Sequence, residues 1–258
     1  MPDSKTALRL LDVQIDNCTR EEALKRAGEF LNQPRLHHIV TPEPEFLLEA
    51  SAHPKFLNIL NQADLSLPDG MGLHVAALAS GQRLRQRIPG ADFVDDLMEL
   101  AAKRRARVFL FGGLAGAAHG AAVTLIRRHP KLDIVGAESG YRGPWQKLRD
   151  RQVLERIHRA RPDILFVALG APKQELWIDR HRQALHQVRI AMGVGRTLDY
   201  LAGLVKRPPK ILRRTGLEWM DTYLRAGSYY QGNFRRQRVR NATWHFVVEV
   251  LKQRVKKK

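Results

Sequence analysis

The chain has 258 residues, of which 44% are hydrophobic, and a formal net charge of +18 at pH 7. This length allows one large domain with a buried core, or one domain with an appendage. The single cysteine, Cys18, excludes an intramolecular disulfide and any zinc site that needs two or more cysteines. Because neither a signal peptide nor a run of about 18 apolar residues is recognisable, we expect a cytoplasmic protein.

Apolar runs alternate with helix-forming patterns over most of the chain. The predicted strands are residues 8–15, 38–40, 65–67, 108–111, 133–135, 164–169 and 188–194. The predicted helices are residues 19–31, 91–103, 115–128, 145–159 and 173–185, and the first opens with a capping box of Thr19 and Glu22. This alternation predicts an α/β fold with a mostly parallel sheet and helices on both faces. Ligands of such folds bind beyond the carboxyl ends of the strands, so the residues that follow each strand are the site candidates.

The composition changes near residue 204. Residues 204–258 hold fifteen Lys or Arg against three acidic residues, a net charge of +12, and Pro208 and Pro209 interrupt the chain. Residues 216–219 open one predicted helix and residues 241–255 form another. We therefore predict a domain at residues 1–203 and a basic helical appendage at residues 204–258. Such a cluster of cations suits nucleic acid, anionic lipid headgroups or a diphosphate, and a solubilising tail is the plainer alternative.

Asp69 and Arg87 are charged residues that could take part in catalysis or bind a substrate. Asp69 lies in a glycine-rich turn after the third predicted strand, where a carboxylate can act as a general base on a hydroxyl. The alternative is that Asp69 only caps the next helix or forms an Asx-turn. Arg87 precedes a predicted helix, and its guanidinium suits bidentate binding of phosphate oxygens, with a surface ion pair as the alternative.

Glycine-rich turns follow several of the predicted strands. Glycines let the backbone approach a phosphate, and the N–H groups of the following helix point at it. Asp199 follows the last of these turns and could accept hydrogen bonds from a base or a ribose. The turns favour a nucleotide site but leave its ligand open, because none matches the dinucleotide fingerprint G-x-G-x-x-G. The glycines concerned are Gly112, Gly113, Gly170, Gly193 and Gly195.

Together these segments resemble the WecB/TagA/CpsF glycosyltransferase family. The matching stretches are residues 40–45, 67–72, 87–92, 170–175, 193–195 with Asp199, 205–209 and 216–219. They occur in the family's order and cover roughly residues 8–225. The resemblance implies a Rossmann-like fold and an inverting transfer of N-acetylmannosamine, or a related sugar, from a UDP donor to N-acetylglucosaminyl-diphospho-undecaprenol. Such transfer serves the synthesis of teichoic acid or another cell-surface polysaccharide.

The resemblance also implies roles for individual residues. Asp69 would deprotonate the acceptor hydroxyl, and Arg87 would hold the donor diphosphate or sugar. The other expected substrate contacts are Thr41, Glu43, Gln174, Lys206 and Arg207, and the expected nucleotide contacts are Tyr141, Asp199 and the five glycines named above. No metal is expected, so cations of the appendage would offset the charge of the leaving UDP. The basic tail would also lie on the anionic inner face of the plasma membrane, and self-association would mask apolar surface on the appendage.

Three residues depart from the family pattern and bear on donor specificity. Glu43 stands where Asn is usual, Arg196 where glycine is usual, and Thr222 where arginine is usual. One alternative is a degenerate homologue that keeps the fold and binds polyanions or membranes. Another is a nicotinamide-dependent oxidoreductase, which the missing dinucleotide fingerprint disfavours.

Overall fold

A computed structural model of the protein describes residues 7–140, 147–215, 246, 248–250 and 252. Within them the chain begins with an antiparallel hairpin of β1 (Ala7–Leu10) and β2 (Val13–Asp16). A six-stranded parallel sheet follows, in the order β4-β3-β8-β7-β5-β6. Its strands are β3 (His37–Val40), β4 (Leu65–Ser66), β5 (Arg107–Gly112), β6 (Asp133–Glu138), β7 (Ile164–Ala168) and β8 (Ile190–Gly193). The predicted parallel α/β fold is therefore confirmed.

The helices connect these strands and pack on the sheet. They are α1 (Arg20–Phe30), α2 (Pro44–Ala52), α3 (Pro54–Asn61), α4 (Met71–Ala79), α5 (Gly90–Arg104), α6 (Ala117–Arg128), α7 (Lys147–Ala160), α8 (Lys173–Arg180), α9 (Thr197–Leu201) and α10 (Lys210–Thr215). The capping box of α1 is confirmed: Thr19 Oγ1 accepts a hydrogen bond from Glu22 N at 3.2 Å, and Glu22 Oε2 accepts one from Thr19 N at 2.9 Å.

The structure differs from the prediction in the first third of the chain. The strand predicted at residues 8–15 is wrong as a single element, because Leu11 and Asp12 adopt φ of 46° and 63° and turn the chain into the hairpin. Helices α2, α3 and α4 were not predicted. Two of them begin with proline at the first helical position, where its missing N–H costs nothing.

Apolar side chains cover both faces of the sheet. Helices α1, α5 and α6 contribute to one buried cluster, α7 and α8 to a second. A third cluster joins the β1–β2 hairpin to α2, α3 and α4, and it also contains Phe246 and Val250. Phe246 and Val250 thus pack against the first third of the protein. The domain boundary at residue 204 stays a prediction, and the helix expected from residue 216 lies outside the described residues.

Candidate active site

The loops after β3 and β4 are joined by main-chain hydrogen bonds. Leu67 N donates to Val40 O at 2.9 Å, and Asp69 N donates to Pro42 O at 3.0 Å. Asp69 is placed by a third bond, since its Oδ2 accepts from Gly90 N, the first residue of α5, at 2.8 Å. Asp69 therefore does not cap the helix that follows it, whose N-cap is Gly70 without a side-chain bond. It caps a helix that begins much later in the sequence.

Thr41 packs against the same helix terminus. An ideal Cβ on Gly90 would lie 2.9 Å from Thr41 Oγ1 and 3.2 Å from Thr41 Cβ, so a side chain there would force Thr41 or the start of α5 to move. The close approach of Thr41 therefore favours glycine at this position. The result is that Thr41 and Asp69 both contact Gly90 at the carboxyl end of the β3–β4 pair.

The electrostatic surroundings of Asp69 suit a base. Burial raises the pKa of the Asp69 carboxyl, while hydrogen bonds from Gly90 and Gly70 and the charge of Arg87 lower it. Burial prevails, so the pKa lies above the usual aspartate value. Arg87 also donates a hydrogen bond to the backbone carbonyl of Arg213, which links this cluster to α10.

Glu43 lies beside the turn that carries Asp69. It is the N-cap of α2 but makes no side-chain capping bond. Its Cβ is 3.8 Å from the place where a Cβ on Gly70 would lie, and Gly70 has φ of +82°, which favours glycine. One of the three positions at which the chain departs from the family pattern is therefore beside the turn that carries the candidate base.

A second group of site residues joins the loops after β7 and β8. Gln174 is buried, and its Oε1 accepts hydrogen bonds from Gly170 N at 3.1 Å and Gly195 N at 3.0 Å. Its Nε2 donates to Glu175 Oε1 at 2.8 Å. A Cβ on Gly193 would lie 2.5 Å from that Nε2. Gln174 thus orders the glycine turns, and its contact with a ligand stays a prediction.

Glu175 was not among the predicted site residues. It is buried, burial raises its pKa to about 7, and its Oε2 has no hydrogen-bond partner in the described part of the chain. The only signal in the sequence was its place directly after Gln174 in the motif at residues 170–175. A sequence does not reveal that a glutamate so close to a loop is buried, because glutamate is rarely buried.

A third group holds the turn between β5 and α6. Asp199 Oδ1 accepts a hydrogen bond from Leu114 N at 2.8 Å, and a Cβ on Gly113 would lie 2.9 Å from the same oxygen. Gly112 is equally confined, since its Cβ would lie 2.5 Å from Ala168 O. Asp199 therefore has a visible role in fixing the turn, and its contact with a base or ribose stays a prediction.

Two further residues belong to the predicted nucleotide region. Arg196 is the N-cap of α9, and its guanidinium lies over the ring of Tyr200, 5.9 Å from the centroid. Tyr141 lies outside the described residues. Its neighbour Gly140 packs on the β5–α6 turn, because a Cβ there would lie 3.0 Å from Gly113 O.

These groups lie along one edge of the sheet. Because all six strands are parallel, their carboxyl ends face the same way, and β4, β3, β8, β7 and β5 follow one another in that order. The loops that carry Thr41 and Asp69 thus adjoin the turns that Gln174 joins, and the turn at Gly112 and Gly113 comes next. This is the edge at which parallel α/β folds bind ligands, so the predicted site residues that the structure describes on these strands meet as expected.

The first residues of the basic appendage (residues 204–258) lie at the N-terminus of α5. Arg207 forms an ion pair with Asp92, and its Nη1 lies 3.8 Å from Asp95 Oδ2. Arg213 Nη1 lies 3.6 Å from Asp92 Oδ1. These contacts hold Arg207 and Arg213 near the first turn of α5, which begins at Gly90. The charge of Arg207 is thus compensated by the protein, while Lys206 is exposed. Substrate contacts of both residues stay predictions.

Within residues 7–140, 147–215 and the few described near the C-terminus, no cluster of three His, Cys, Asp or Glu is arranged for a metal ion. In that same portion of the chain no helix is long and apolar enough to cross a membrane.

Comparisons with known proteins show the family to which the chain belongs. Residues 8–258 match the model of the glycosyl transferase WecG/TagA/CpsF family. The chain is 33% identical over 213 residues to proteins of Staphylococcus aureus strains MRSA252, NCTC 8325 and COL, covering 82% of this chain and 82% of each relative. Each is named N-acetylglucosaminyldiphosphoundecaprenol N-acetyl-beta-D-mannosaminyltransferase. The chain belongs to the WecG/TagA/CpsF family of glycosyltransferases.

Proposed function

We propose that the protein transfers N-acetylmannosamine, or a closely related sugar, from a UDP donor to N-acetylglucosaminyl-diphospho-undecaprenol. The observation that carries this proposal is the meeting of Asp69, Thr41 and Arg87 at the carboxyl end of β3 and β4. The names of the Staphylococcus aureus relatives supply the acceptor and the sugar, and their similarity covers most of the chain.

In the proposed reaction Asp69 is the general base. Its carboxylate takes the proton from a hydroxyl of the acceptor sugar, and that oxygen forms a bond to the anomeric carbon of the donor. The bond from the anomeric carbon to the diphosphate oxygen breaks, and UDP leaves with the electron pair. A single displacement of this kind inverts the anomeric configuration. A pKa raised by burial makes Asp69 a stronger base than an exposed aspartate.

Cations beside Asp69 would stabilise the charge of the departing UDP. Arg87 is close enough to lower the pKa of Asp69, and its contact with Arg213 O brings the first residues of the basic appendage to the same place. A positive charge at a developing diphosphate lowers the transition-state energy. We infer that these arginines take the part that a metal ion plays in other transferases, so activity should persist in EDTA.

The glycine turns after β5, β7 and β8 are the proposed place of the uridine diphosphate. Gln174 and Asp199 hold these turns in shape by accepting hydrogen bonds from Gly170 N, Gly195 N and Leu114 N, and the glycines let a diphosphate approach the backbone closely. The basic appendage would then hold the enzyme against the membrane that carries the lipid acceptor.

Product analysis tests the proposal. The purified chain is incubated with UDP-N-acetylmannosamine and a lipid-diphospho-N-acetylglucosamine, and the lipid is examined by mass spectrometry. We expect one added N-acetylhexosamine and, by NMR, an inverted anomeric centre. UDP-N-acetylglucosamine and a uronic-acid donor are tested as alternative donors, because Glu43, which departs from the family pattern, lies near Asp69. Binding of UDP without sugar transfer from any of the three donors would favour a degenerate homologue instead.

A further inference from the structure

Helix α4 has an unusual composition for a helix with an exposed face. Its nine residues, Met71–Ala79, include no charged side chain, and His74 is the only one that can ionise. Leu73, Ala76 and Ala77 point into the core cluster shared with the β1–β2 hairpin. A surface helix normally places polar or charged residues on its other side.

The outer side of α4 is apolar instead. Met71, Val75 and Leu78 are 39%, 48% and 63% exposed, and their spacing of four and three residues puts them on one stripe. We call these three side chains the α4 stripe. Single exposed apolar residues are common, but a stripe along a helix without any charge is typical of a surface that contacts something apolar.

The α4 stripe adjoins the candidate base. Met71 is two residues after Asp69, and Gly70 between them is the N-cap of α4. From the inner side of the helix, burial and the charge of Arg87 lower the pKa of His74. The helix therefore lies directly against the site, with the stripe facing outward beside it.

Arginines follow α4 in the sequence. Residues 82–87 contain Arg83, Arg85 and Arg87. Arg83 is exposed, and Arg85, also exposed, is paired with Glu22 at 2.7 Å. Exposed cations close in sequence to an apolar helix face are common in helices that lie in the interface of an anionic membrane.

We propose that the α4 stripe is a lipid-contact surface that enters the outermost apolar layer of the membrane beside the diphosphate of the bound acceptor. This rests on the proposed function, because a polyprenyl acceptor brings its membrane to the Asp69 site. The contact would hold the acceptor hydroxyl at the site while the polyprenyl chain stays in the bilayer. It differs from the contact expected of the basic appendage, because it uses apolar contact rather than charge.

The test compares two pairs of neutral substitutions. In the first variant Val75 and Leu78 become Gln; in the control, Val123 and Ile126 of α6, which are 51% and 46% exposed, become Gln. Binding to vesicles of phosphatidylcholine and phosphatidylglycerol is measured by sedimentation. Because burial of two such side chains in an apolar layer is favourable, we expect about tenfold weaker binding for the α4 variant and no change for the control.

Turnover separates this inference from the proposed function. The α4 variant should keep its turnover of a short-chain, water-soluble acceptor and lose turnover of a long-chain acceptor in vesicles. If the unaltered chain turns over neither acceptor, the proposed function fails, while the vesicle comparison still decides the role of α4. Equal vesicle binding by both variants overturns the inference. A change in the molecular mass of the α4 variant in solution, with unchanged vesicle binding, also overturns it and would assign the stripe to a second copy of the chain.

A spectroscopic readout covers the case of a poorly folded variant. Cys18 is buried, so Leu78→Cys can be labelled with an environment-sensitive dye, and Val123→Cys provides the control. We expect a blue shift of the emission with vesicles for the label at position 78 only. The same shift at both positions, or at neither, contradicts a lipid contact through α4.

Discussion

The backbone N–H of Gly90 donates a hydrogen bond of 2.8 Å to Oδ2 of Asp69. This bond ties the loop after β4 to the N-terminus of α5, where Thr41 also packs. A helix N-terminus stabilises a nearby carboxylate, so the bond both orients Asp69 and limits the rise of its pKa. The geometry around Gly90 therefore determines where the base lies relative to a substrate.

A side chain at Gly90 should disturb this arrangement. Gly90→Ala places a methyl group 2.9 Å from Thr41 Oγ1, so Thr41 or the start of α5 has to move. A displacement of this kind at a base typically costs about 100-fold in turnover. The matched control is Gly28→Ala in α1, where the new Cβ meets nothing closer than 3.8 Å. We expect a large loss of turnover for the first variant and none for the control; equal turnover in both would show that the Thr41–Gly90 contact is irrelevant to the chemistry.

Removing the charge of Arg87 should shift the pH dependence of turnover. That charge lowers the pKa of Asp69, so Arg87→Gln allows the pKa to rise further. A base must be deprotonated to act, so turnover falls as the pH drops through its pKa. The acidic limb of the kcat profile should therefore move to higher pH in Arg87→Gln and stay nearly unchanged in Arg87→Lys. An acidic limb at the same pH in all three proteins would separate Asp69 from the group that titrates.

Glu175 should make stability depend on pH. Its pKa is about 7 in the folded protein against an ordinary value of 4.5, so the folded state binds its proton more tightly than the unfolded state. The free energy of unfolding should then decrease as pH rises from 4.5 to 7, by about 3 kcal/mol in all. Glu175→Gln does not undergo this loss. In urea denaturation, the free energy of unfolding of the variant should therefore exceed that of the natural sequence by more at pH 8 than at pH 5. A constant difference between the two pH values would mean that Glu175 does not titrate in this range.

Gln174 should act through the shape of the two turns it joins. Gln174→Ala removes the acceptor of both Gly170 N and Gly195 N. We expect UDP affinity, measured by calorimetry, to fall about tenfold, because each turn loses the hydrogen bond that fixes its shape. The opposite result, unchanged UDP affinity with reduced turnover, would place Gln174 at the donor sugar rather than at the nucleotide.

The part of the fold that could be predicted is the part whose pattern is local. Continuous apolar runs such as Ile164–Ala168 indicate strands buried on both faces, and alternating helices then require a parallel sheet. Asp69 and the glycine turns were identifiable because site residues of such folds follow the strands. The family resemblance, which rests on several motifs in order, supplied the reaction.

The remainder depends on contacts between distant residues. The β1–β2 hairpin turns at Leu11 and Asp12, which adopt positive φ although neither is glycine, so no glycine marked the turn within the apolar run. The link of Asp69 to Gly90 spans 21 residues, and the pair of Arg207 with Asp92 spans 115. Such partners are chosen by the assembled fold, and the sequence around each residue does not specify them.

The central claim is that Asp69 is the base of an acceptor-dependent sugar transfer. The most direct test measures UDP release from UDP-N-acetylmannosamine, with and without a short-chain lipid-diphospho-N-acetylglucosamine, for the natural sequence and for Asp69→Asn. The variant keeps the size of the side chain and an oxygen for Gly90 N, so its UDP affinity should be unchanged. We predict acceptor-dependent release by the natural sequence and a loss of at least about 100-fold in the variant. Comparable release by both proteins, with equal UDP binding, would contradict the assignment of Asp69.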